Sequence, residues 1–271
     1  MEHPSRRDML AGSAAVLTAL TWLRGARAQA APATAGPADP KLIDDLVAAN
    51  RVLFDQGVVD GYGHVSVRHD KAADHYLMSR SLAPELVTAA DIMEYDLDSV
   101  PVDPRGRALY LERFIHGEIY RVRPDVRAIV HNHSPSVIPF GVTGVPLRPL
   151  YHMSAFLWPG VPVFEIRNAG GPATDMLIRD AALGQALART LGAAPVVLMR
   201  GHGAVAVGGG LPEVVFRAVY TEVNARLQAQ AMALGGTVTY LDPEEAKRAQ
   251  ASIAGTIGRP WELWKKKALA H

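Results

Sequence analysis

Two histidines, His131 and His133, lie at the end of a short stretch of small and β-branched residues, Ala128 to Val130, just before a Ser-Pro pair. Successive side chains of a strand alternate between the two faces of a sheet, so residues two apart point to the same side. Two imidazole rings in that relation are close enough to share one metal ion, and neutral imidazole is a common metal ligand. The pair therefore predicts part of a metal site at the end of a strand.

Two further residues are candidates for the same site. His202 lies in a Gly-His-Gly triplet after the apolar stretch Val196 to Met199, and the flanking glycines allow the sharp turn that presents its ring. Glu112 opens the helical pattern that precedes the His131 strand, and it supplies a carboxylate. Three nitrogens and one carboxylate suit zinc, manganese, iron or cobalt, and the spacing alone does not choose among these metals.

The elements that position these residues alternate between helical and extended patterns. We predict one α/β domain in which helices flank both sides of a sheet. The predicted elements are a helix from Pro40 to Gly57, strands at 62–68, 76–78 and 92–97, a helix at 111–121, a strand at 126–131, a helix at 174–191, strands at 196–199 and 204–207, and a long helix at 212–234.

Composition excludes several classes of protein. The chain has 271 residues, 49% of them hydrophobic, a formal net charge of +1 and no cysteine. The balanced charge gives no basic face for nucleic acid, so no nucleic-acid partner is expected. Without cysteine, any metal must be held by histidine or carboxylate side chains.

The first residues have the pattern of an export signal. Arg6 and Arg7 form a twin-arginine pair, the stretch from Met9 to Leu23 is mostly apolar, and an A-x-A cleavage site follows. This predicts a twin-arginine signal peptide at 1–28, a flexible lead-in at 29–38 and a metal-binding domain at 39–271. The translocation machinery would then be a partner and the periplasm the location. A single membrane anchor is the alternative, but about 15 apolar residues fall short of the roughly 20 that a span needs.

Four motifs in this order resemble the class II aldolase and adducin family. They are Gly61-Tyr62-Gly63-His64-Val65-Ser66-Val67-Arg68, Glu112, His131-Asn132-His133 and Gly201-His202-Gly203. The resemblance runs over residues 41–240 and implies a single three-layer α/β/α domain with a largely antiparallel central sheet, assembled as a homotetramer with active sites between subunits. In the sugar-phosphate aldolases of this family three histidines bind zinc, and a glutamate is a further ligand that swings away to act as a base. The resemblance carries these roles onto His131, His133, His202 and Glu112.

The chain departs from the sugar-phosphate aldolases at the phosphate pocket. Those enzymes hold the phosphate with two serines before the glutamate, where this chain has Tyr110 and Leu111, which lack those donors. The threonine and glycine loop that also binds phosphate is replaced by a segment containing Ser79 and Arg80. Arginine binds a carboxylate through two parallel hydrogen bonds, so Ser79 and Arg80 are predicted to bind an organic acid instead of a phosphate.

Two more histidines stand at positions that carry function in the family. His64 replaces the asparagine of a Gly-Asn-Val-Ser motif, and we place it in the substrate cleft. His152 stands where the aldolases keep a catalytic tyrosine from the adjacent subunit, and we predict that it is the proton donor, with a packing role as the alternative. His116, one turn beyond Glu112, is assigned to packing, with support of a metal ligand as the alternative.

These departures resemble a branch of the family that decarboxylates hydroxylated aromatic or pyridine dicarboxylates. The predicted function is a metal-dependent carbon–carbon lyase acting on a non-phosphorylated hydroxy acid, with decarboxylation favoured over retro-aldol cleavage. Zinc is the favoured metal, with manganese or iron as alternatives. A non-haem iron oxygenase on the same scaffold and a non-catalytic adducin-like interaction module stay open as other functions.

Overall fold

The computed structural model describes residues 31–270, which form a seven-stranded sheet with helices on both faces. The predicted signal peptide and the first residues of the lead-in, 29 and 30, lie outside the described residues. The strands are β1 (His64–Arg68), β2 (His75–Ser79), β3 (Ile92–Asp96), β4 (Ala128–Asn132), β5 (Val163–Phe164), β6 (Val196–Met199) and β7 (Gly203–Gly208). The α-helices are α1 (Pro40–Asp55), α2 (Phe114–Val122), α3 (Ile138–Val142), α4 (Arg167–Gly170), α5 (Ala181–Leu191), α6 (Leu211–Ala233), α7 (Pro243–Ala254) and α8 (Gly258–Ala268).

The sheet is largely antiparallel, as predicted. Its strand order is β3-β2-β1-β4-β7-β6-β5, and only β5 and β6 pair in parallel. The central strand β4 pairs with β1 on one side, where His131 lies opposite His64, and with β7 on the other. This order brings the ends of three sequence-distant strands, β1, β4 and β7, to the same region of the sheet.

Two cores, one on each face of the sheet, give the domain its three layers. Alternate strand residues such as Val65, Val130 and Ala206 pack with α1, α6 and α8. The intervening residues, such as Ile129 and Val205, pack with α2 and α5. Because side chains alternate along a strand, His131 lies on the same face as Ile129, under α2. The α/β/α architecture predicted from the sequence is confirmed.

The first helix begins at Pro40, as the sequence indicates, and ends at Asp55, two residues before the predicted end at Gly57. The Asp39 carboxylate caps α1 by accepting a hydrogen bond from the Lys41 amide at 2.9 Å, and Pro40 occupies the first turn, where its missing N–H is not needed. Beyond α1, Gly57 adopts a left-handed backbone conformation with φ of 67°. Such a glycine is a common stop signal, because other residues avoid this conformation.

The helix predicted at 174–191 is wrong in its first seven residues, because α5 begins only at Ala181. The Asp180 side chain accepts a hydrogen bond from the Leu183 amide at 2.9 Å and so caps the helix at that point. Upstream, Met176 has a φ of 72°, which a helix does not accommodate. The irregular segment 174–180 turns out to support the candidate site.

Part of the predicted lead-in is held against the sheet. The Ala35 amide donates to the Glu94 carboxylate at 2.6 Å, and the His75 ring lies 3.0 Å from the Ala33 carbonyl oxygen. Residues 33–37 therefore hydrogen-bond to β2, β3 and the loop between β1 and β2, which differs from the flexible segment expected there. Among residues 31–270, no helix combines the length and the apolar character that a membrane crossing requires.

Candidate metal centre and substrate cleft

Glu112 lies at a kink between a 3-10 turn, Leu111–Arg113, and α2. Its φ of −89° and ψ of 19° fall in a sparsely populated backbone region that active-site residues often occupy. One carboxylate oxygen, Oε1, accepts a hydrogen bond from the Ile178 amide at 2.9 Å. The other oxygen, Oε2, lies 3.5 Å from Nε2 of both His131 and His202. The irregular segment before α5 thus fixes the direction of this carboxylate.

The three histidine rings meet through their Nε2 atoms. Nε2 of His133 lies 3.2 Å from Nε2 of His131 and 3.0 Å from Nε2 of His202. His131 is the fourth residue of β4, and His133 follows the strand directly. The structure therefore brings together the four residues that the sequence predicts as metal ligands, with their ligand atoms all within 4.8 Å of one another.

The Gly-His-Gly turn positions His202 as expected. Gly201 has a φ of 61°, which favours glycine, and the backbone of Gly203 passes so close to the Asn132 carbonyl oxygen that a Cβ atom would lie 2.0 Å from it. This close approach places β7 beside the end of β4. As a result, the His202 ring reaches the two rings of the His131 strand.

Backbone carbonyls fix the tautomers of two of the rings. Nδ1 of His131 lies 3.2 Å from the Ala204 oxygen, and Nδ1 of His202 lies 2.9 Å from the Met176 oxygen. A carbonyl oxygen only accepts hydrogen bonds, so each Nδ1 must carry the hydrogen, which leaves the lone pair on Nε2 free in the neutral ring. Both free lone pairs belong to the group of converging ligand atoms.

This donor set fits a divalent cation. Ligands of a tetrahedral ion with bonds of about 2.1 Å are about 3.4 Å apart, close to the 3.0 to 3.5 Å separations in the cluster. The Glu112 side chain is 9% exposed, and its ion-pair partners within the described chain are the two histidines. A buried carboxylate requires a compensating charge, which a cation at this point supplies.

The charges within the cluster favour an ionised Glu112 carboxylate beside a neutral His133 ring. Burial raises the pKa of Glu112, but the hydrogen bonds and charges of His131 and His202 outweigh this effect and hold the pKa far below its usual value. Burial and the neighbouring rings lower the pKa of His133 to about 4. Burial lowers the pKa of His202, but its interaction with Glu112 is stronger and raises the pKa overall. Protons therefore compete with a metal at His202 more readily than at His133.

A cleft of about 500 Å³ opens beside the cluster. Its polar lining consists of hydroxyls, imidazoles and one carboxylate, and no lysine or arginine is among the lining residues of the described chain. The residues that line it are Gly61, Tyr62, Gly63, His64, Ser81, Leu82, Ala83, Tyr110, Leu111, Glu112, His131, His133 and Leu177. The size suits a small organic molecule.

Of the three residues predicted to bind substrate, His64 lines the cleft, whereas Ser79 and Arg80 do not. His64 lines the cleft, and its ring centre is 5.1 Å from that of His131. Ser79 is fully buried, with its hydroxyl 3.3 Å from the Tyr110 hydroxyl. Arg80 is about one third exposed and its Nε donates to Asp91 at 2.6 Å, outside the residues that line the cleft. Binding of substrate by Ser79 and Arg80 stays a prediction.

His152 does not meet the cluster within one chain. It is exposed at the start of a 3-10 turn, His152–Leu157, and borders a separate small cavity with Phe216 and Ile253. A catalytic role for this residue therefore requires that it enters the cleft of another copy of the chain, and this role also stays a prediction.

His116 and Ser66, which the sequence did not assign to the site, lie behind the cleft residue His64. His116 lies between His64 and Ser66, at 2.7 Å and 2.6 Å, which is more than a packing role. Burial lowers the pKa of His64 well below its usual value and that of His116 to about 3, so both rings are neutral. The spacing of His64 and Ser66 along one strand was visible in the sequence. Their partner on α2 became clear only from the packing.

The chain belongs to the class II aldolase and adducin family. The family model described as the class II aldolase and adducin N-terminal domain matches residues 44–229. The chain is 39% identical over 241 residues to decarboxylase tropJ of Talaromyces stipitatus, covering 81% of this chain and 91% of that protein. It is 32% identical over 205 residues to 3,4-dihydroxyphthalate decarboxylase of Arthrobacter keyseri, covering 71% of this chain and 79% of that protein.

A solved structure supports the fold. The crystal structure of an aldolase II superfamily protein from Pseudomonas syringae superposes with a TM-score of 0.72 at 20% sequence identity, covering 86% of this chain and 94% of that one. This likeness, together with the sheet described above, confirms the class II aldolase fold.

Proposed function

We propose that this protein is a metal-dependent carbon–carbon lyase that removes CO2 from a non-phosphorylated hydroxyaromatic acid. The observation that carries the proposal is the convergence of three imidazole Nε2 atoms and one carboxylate at the wall of a cleft of about 500 Å³. Decarboxylases among the relatives, at 39% and 32% identity, support decarboxylation over retro-aldol cleavage.

Glu112, His131, His133 and His202 would hold the ion, with zinc favoured and manganese or iron also compatible with these ligands. A divalent ion supplies a Lewis acid that withdraws electron density from the oxygens of a bound hydroxy acid. The protein orients three of the four ligands through backbone groups of Ile178, Met176 and Ala204, as described above. Such support keeps ligands in the geometry that the metal requires.

The cleft lining supports an acid without phosphate. A phosphate dianion is usually held by arginine, lysine or several hydroxyl and amide donors. Tyr110 and Leu111 occupy the positions before Glu112, and the Tyr110 hydroxyl already donates to the Leu82 carbonyl at 2.5 Å. Ser79 lies next to Tyr110, and Arg80 follows it in the chain. We propose that Ser79 and Arg80 contribute to binding of the organic acid when the substrate occupies the cleft.

The reaction needs one bond to break and one proton to be delivered. The bond between the carboxylate carbon and the substrate carbon breaks, its electron pair stays on the substrate carbon, and CO2 leaves. An acid then supplies one proton to that carbon. We propose His152 of a neighbouring subunit as this acid and Glu112 as the group that holds or moves protons at the metal end of the cleft.

The test of the function is CO2 release from hydroxyaromatic acids, with 3,4-dihydroxyphthalate and 2,3-dihydroxybenzoate as first probes. Release is expected with metal, and both a chelator and His131→Ala should abolish it. His75→Ala removes a histidine away from the cleft and serves as the control. Turnover that survives full removal of the metal rejects the mechanism. Aldehyde release instead of CO2 indicates an aldolase, substrate-dependent O2 uptake with iron indicates an oxygenase, and no bound metal indicates an adducin-like module.

A mixing experiment tests the role of His152 and the proposed homotetramer. His131→Ala and His152→Ala proteins should each be inactive, because one lacks a ligand and the other lacks the acid. After subunit exchange, about a quarter of the sites in a random oligomer combine intact halves from two chains, and activity should return in that proportion. If mixing restores nothing although subunits exchange, His152 does not act across a subunit interface.

We also propose that the protein reaches the periplasm by the twin-arginine route. The support is the Arg6-Arg7 pair followed by the apolar stretch to Leu23. Fractionation of cells should find the protein in the periplasm, shortened at its N-terminus. Replacing both arginines with lysine should keep it in the cytoplasm, and an unchanged distribution would reject this route.

A further inference from the structure

A continuous chain of buried hydrogen bonds connects the cleft to the interior of the domain. Nδ1 of His64 lies 2.7 Å from Nε2 of His116, and Nδ1 of His116 lies 2.6 Å from the Ser66 hydroxyl. The Ser66 hydroxyl lies 2.9 Å from that of Tyr120. His64 is 3% exposed, Tyr120 is 1% exposed, and Ser66 and His116 are fully buried. We call these four residues the buried relay.

Two local periodicities assemble the buried relay. His64 and Ser66 are two apart on β1, so both side chains point to the face that α2 covers. His116 and Tyr120 are four apart on α2, so they lie on the same side of that helix. Along the chain of hydrogen bonds the order is His64, His116, Ser66 and Tyr120, so residues of the strand and of the helix alternate. No water or ligand is needed to link them, because each contact is a direct hydrogen bond.

The acceptor that is available to the Tyr120 hydroxyl determines which residue of each pair in the buried relay is the hydrogen-bond donor. In one direction, Tyr120 donates to Ser66, Ser66 donates to Nδ1 of His116, and Nε2 of His116 donates to Nδ1 of His64. In the opposite direction, Tyr120 must donate to the Arg127 carbonyl, which is 3.5 Å away and already accepts the Arg68 amide at 2.7 Å. A 3.5 Å contact is at the limit of a hydrogen bond, so the first direction is favoured.

The first direction leaves one arrangement for His64. Its Nδ1 accepts from His116, so its hydrogen must lie on Nε2 in the neutral ring. Nε2 faces away from His116, His64 lines the cleft, and within residues 31–270 no protein group hydrogen-bonds Nε2. His64 lies opposite His131 in the pairing of β1 with β4, and the centres of the two rings are 5.1 Å apart, so the His64 ring lies beside the ligand cluster.

We propose that the buried relay locks His64 as a neutral Nε2–H donor, which binds a carboxylate that the substrate keeps after the reaction. This inference rests on the proposed function and names its substrate more closely, as a hydroxyaromatic acid with a second carboxylate. The donor is uncharged, so it orients this group without adding a further positive charge beside the metal ligands. His116, Ser66 and Tyr120 act through His64 and are positioning residues.

The tautomer is measured directly by nitrogen NMR of the metal-loaded protein with labelled histidine. Nε2 of His64 should be protonated and Nδ1 unprotonated in the wild type. Ser66→Ala removes the donor to His116 and should produce a mixture of tautomers. Ser154→Ala is the matched control, because it removes a buried hydroxyl that bonds Tyr151 and Asn224 instead of His116, and the tautomer should persist in that variant. An unprotonated Nε2 in the wild type overturns the proposal.

Binding tests the ligand chemistry without turnover. Calorimetry with 3,4-dihydroxybenzoate and catechol compares two molecules that share vicinal hydroxyls and differ by one carboxylate. The wild type should bind 3,4-dihydroxybenzoate about tenfold more tightly, the effect of one hydrogen bond to a charged group. His64→Leu should remove this preference and His64→Gln, which keeps an amide donor, should retain most of it. A preference that survives in His64→Leu, with unchanged metal content, overturns the assignment.

The two proposals fail in different ways. If the proposed function is wrong, the wild type releases no CO2 from any hydroxyaromatic acid, while the tautomer and the binding preference are still measurable. If only the present inference is wrong, CO2 release persists and depends on metal, but His64→Leu does not change the preference for the second carboxylate.

Discussion

Replacement of Gly203 by alanine should separate β4 and β7, whose ends position the candidate metal ligands His131, His133 and His202. A Cβ atom there would lie 2.0 Å from the Asn132 carbonyl oxygen and 3.0 Å from Cα of His133. Both neighbours are backbone atoms, so no flexible side chain can move aside. To reach an ordinary contact of 3.4 Å, the strands must move apart by about 1.4 Å. This displacement separates His202 from His133 by a similar distance.

The magnitude follows from what that displacement disrupts. Hydrogen bonds between the end of β4 and the start of β7 lengthen beyond their useful range, and the loss of about two of them lowers the free energy of unfolding by about 2 kcal/mol. For a chain of this size the melting temperature should fall by about 4–8 °C. Metal–ligand bonds tolerate about 0.2 Å, so the affinity for zinc should fall about a hundredfold or more.

The assay is thermal unfolding together with zinc titration against a competing chelator. Gly255→Ala is the control, because a Cβ atom at Gly255 meets nothing within 4 Å and its φ of −71° suits any residue. This variant should match the wild type in both measurements. A Gly203→Ala protein that melts with the wild type and binds zinc with wild-type affinity would refute the close approach of β4 and β7, and with it the geometry of the site.

Three further predictions concern the metal ligands. Zinc at about 100 times its Kd should stabilise the folded protein by about 2.7 kcal/mol, which raises the melting temperature by about 5–10 °C. His131→Ala should abolish this rise. Equal melting temperatures with zinc and with chelator would contradict a metal site. The raised pKa of His202 means that its Nε2 is protonated below that pKa, so zinc affinity should fall as the pH decreases below it, by about tenfold per pH unit for this proton; titration from pH 5 to 8.5 checks the slope, and a flat profile would show that His202 is not a ligand. Met176→Gly should bind zinc with an affinity within about threefold of the wild type. The reason is that the backbone carbonyl of Met176, and not its side chain, bonds His202, and glycine adopts the positive φ without strain. A large loss of zinc affinity, measured by calorimetry, would assign the role to the side chain.

The elements of the fold were largely readable from local patterns. Periodicity, caps and glycines predicted α1, all strands of the described sheet except β5, and the long helix α6, and the antiparallel sheet followed from the resemblance to a family. The start of α5 was misplaced, because Asp180 and the positive φ of Met176 override a helical pattern. The candidate ligand set was also predicted, from histidines at a strand end and in a glycine-flanked turn, a glutamate at the start of a helix, and the resemblance to the family.

Residue types and their order along the chain determined by themselves which side chains are available for metal chemistry, and that three imidazoles and one carboxylate belong together. Only the tertiary structure decided how they are supported. The His64 and His116 rings are 52 positions apart, and the pairing of Arg80 with Asp91 and the distance of His152 from the cleft depend on how elements pack. Strand and helix periods are local properties that a sequence displays, whereas hydrogen bonds between distant elements depend on the orientation of whole layers.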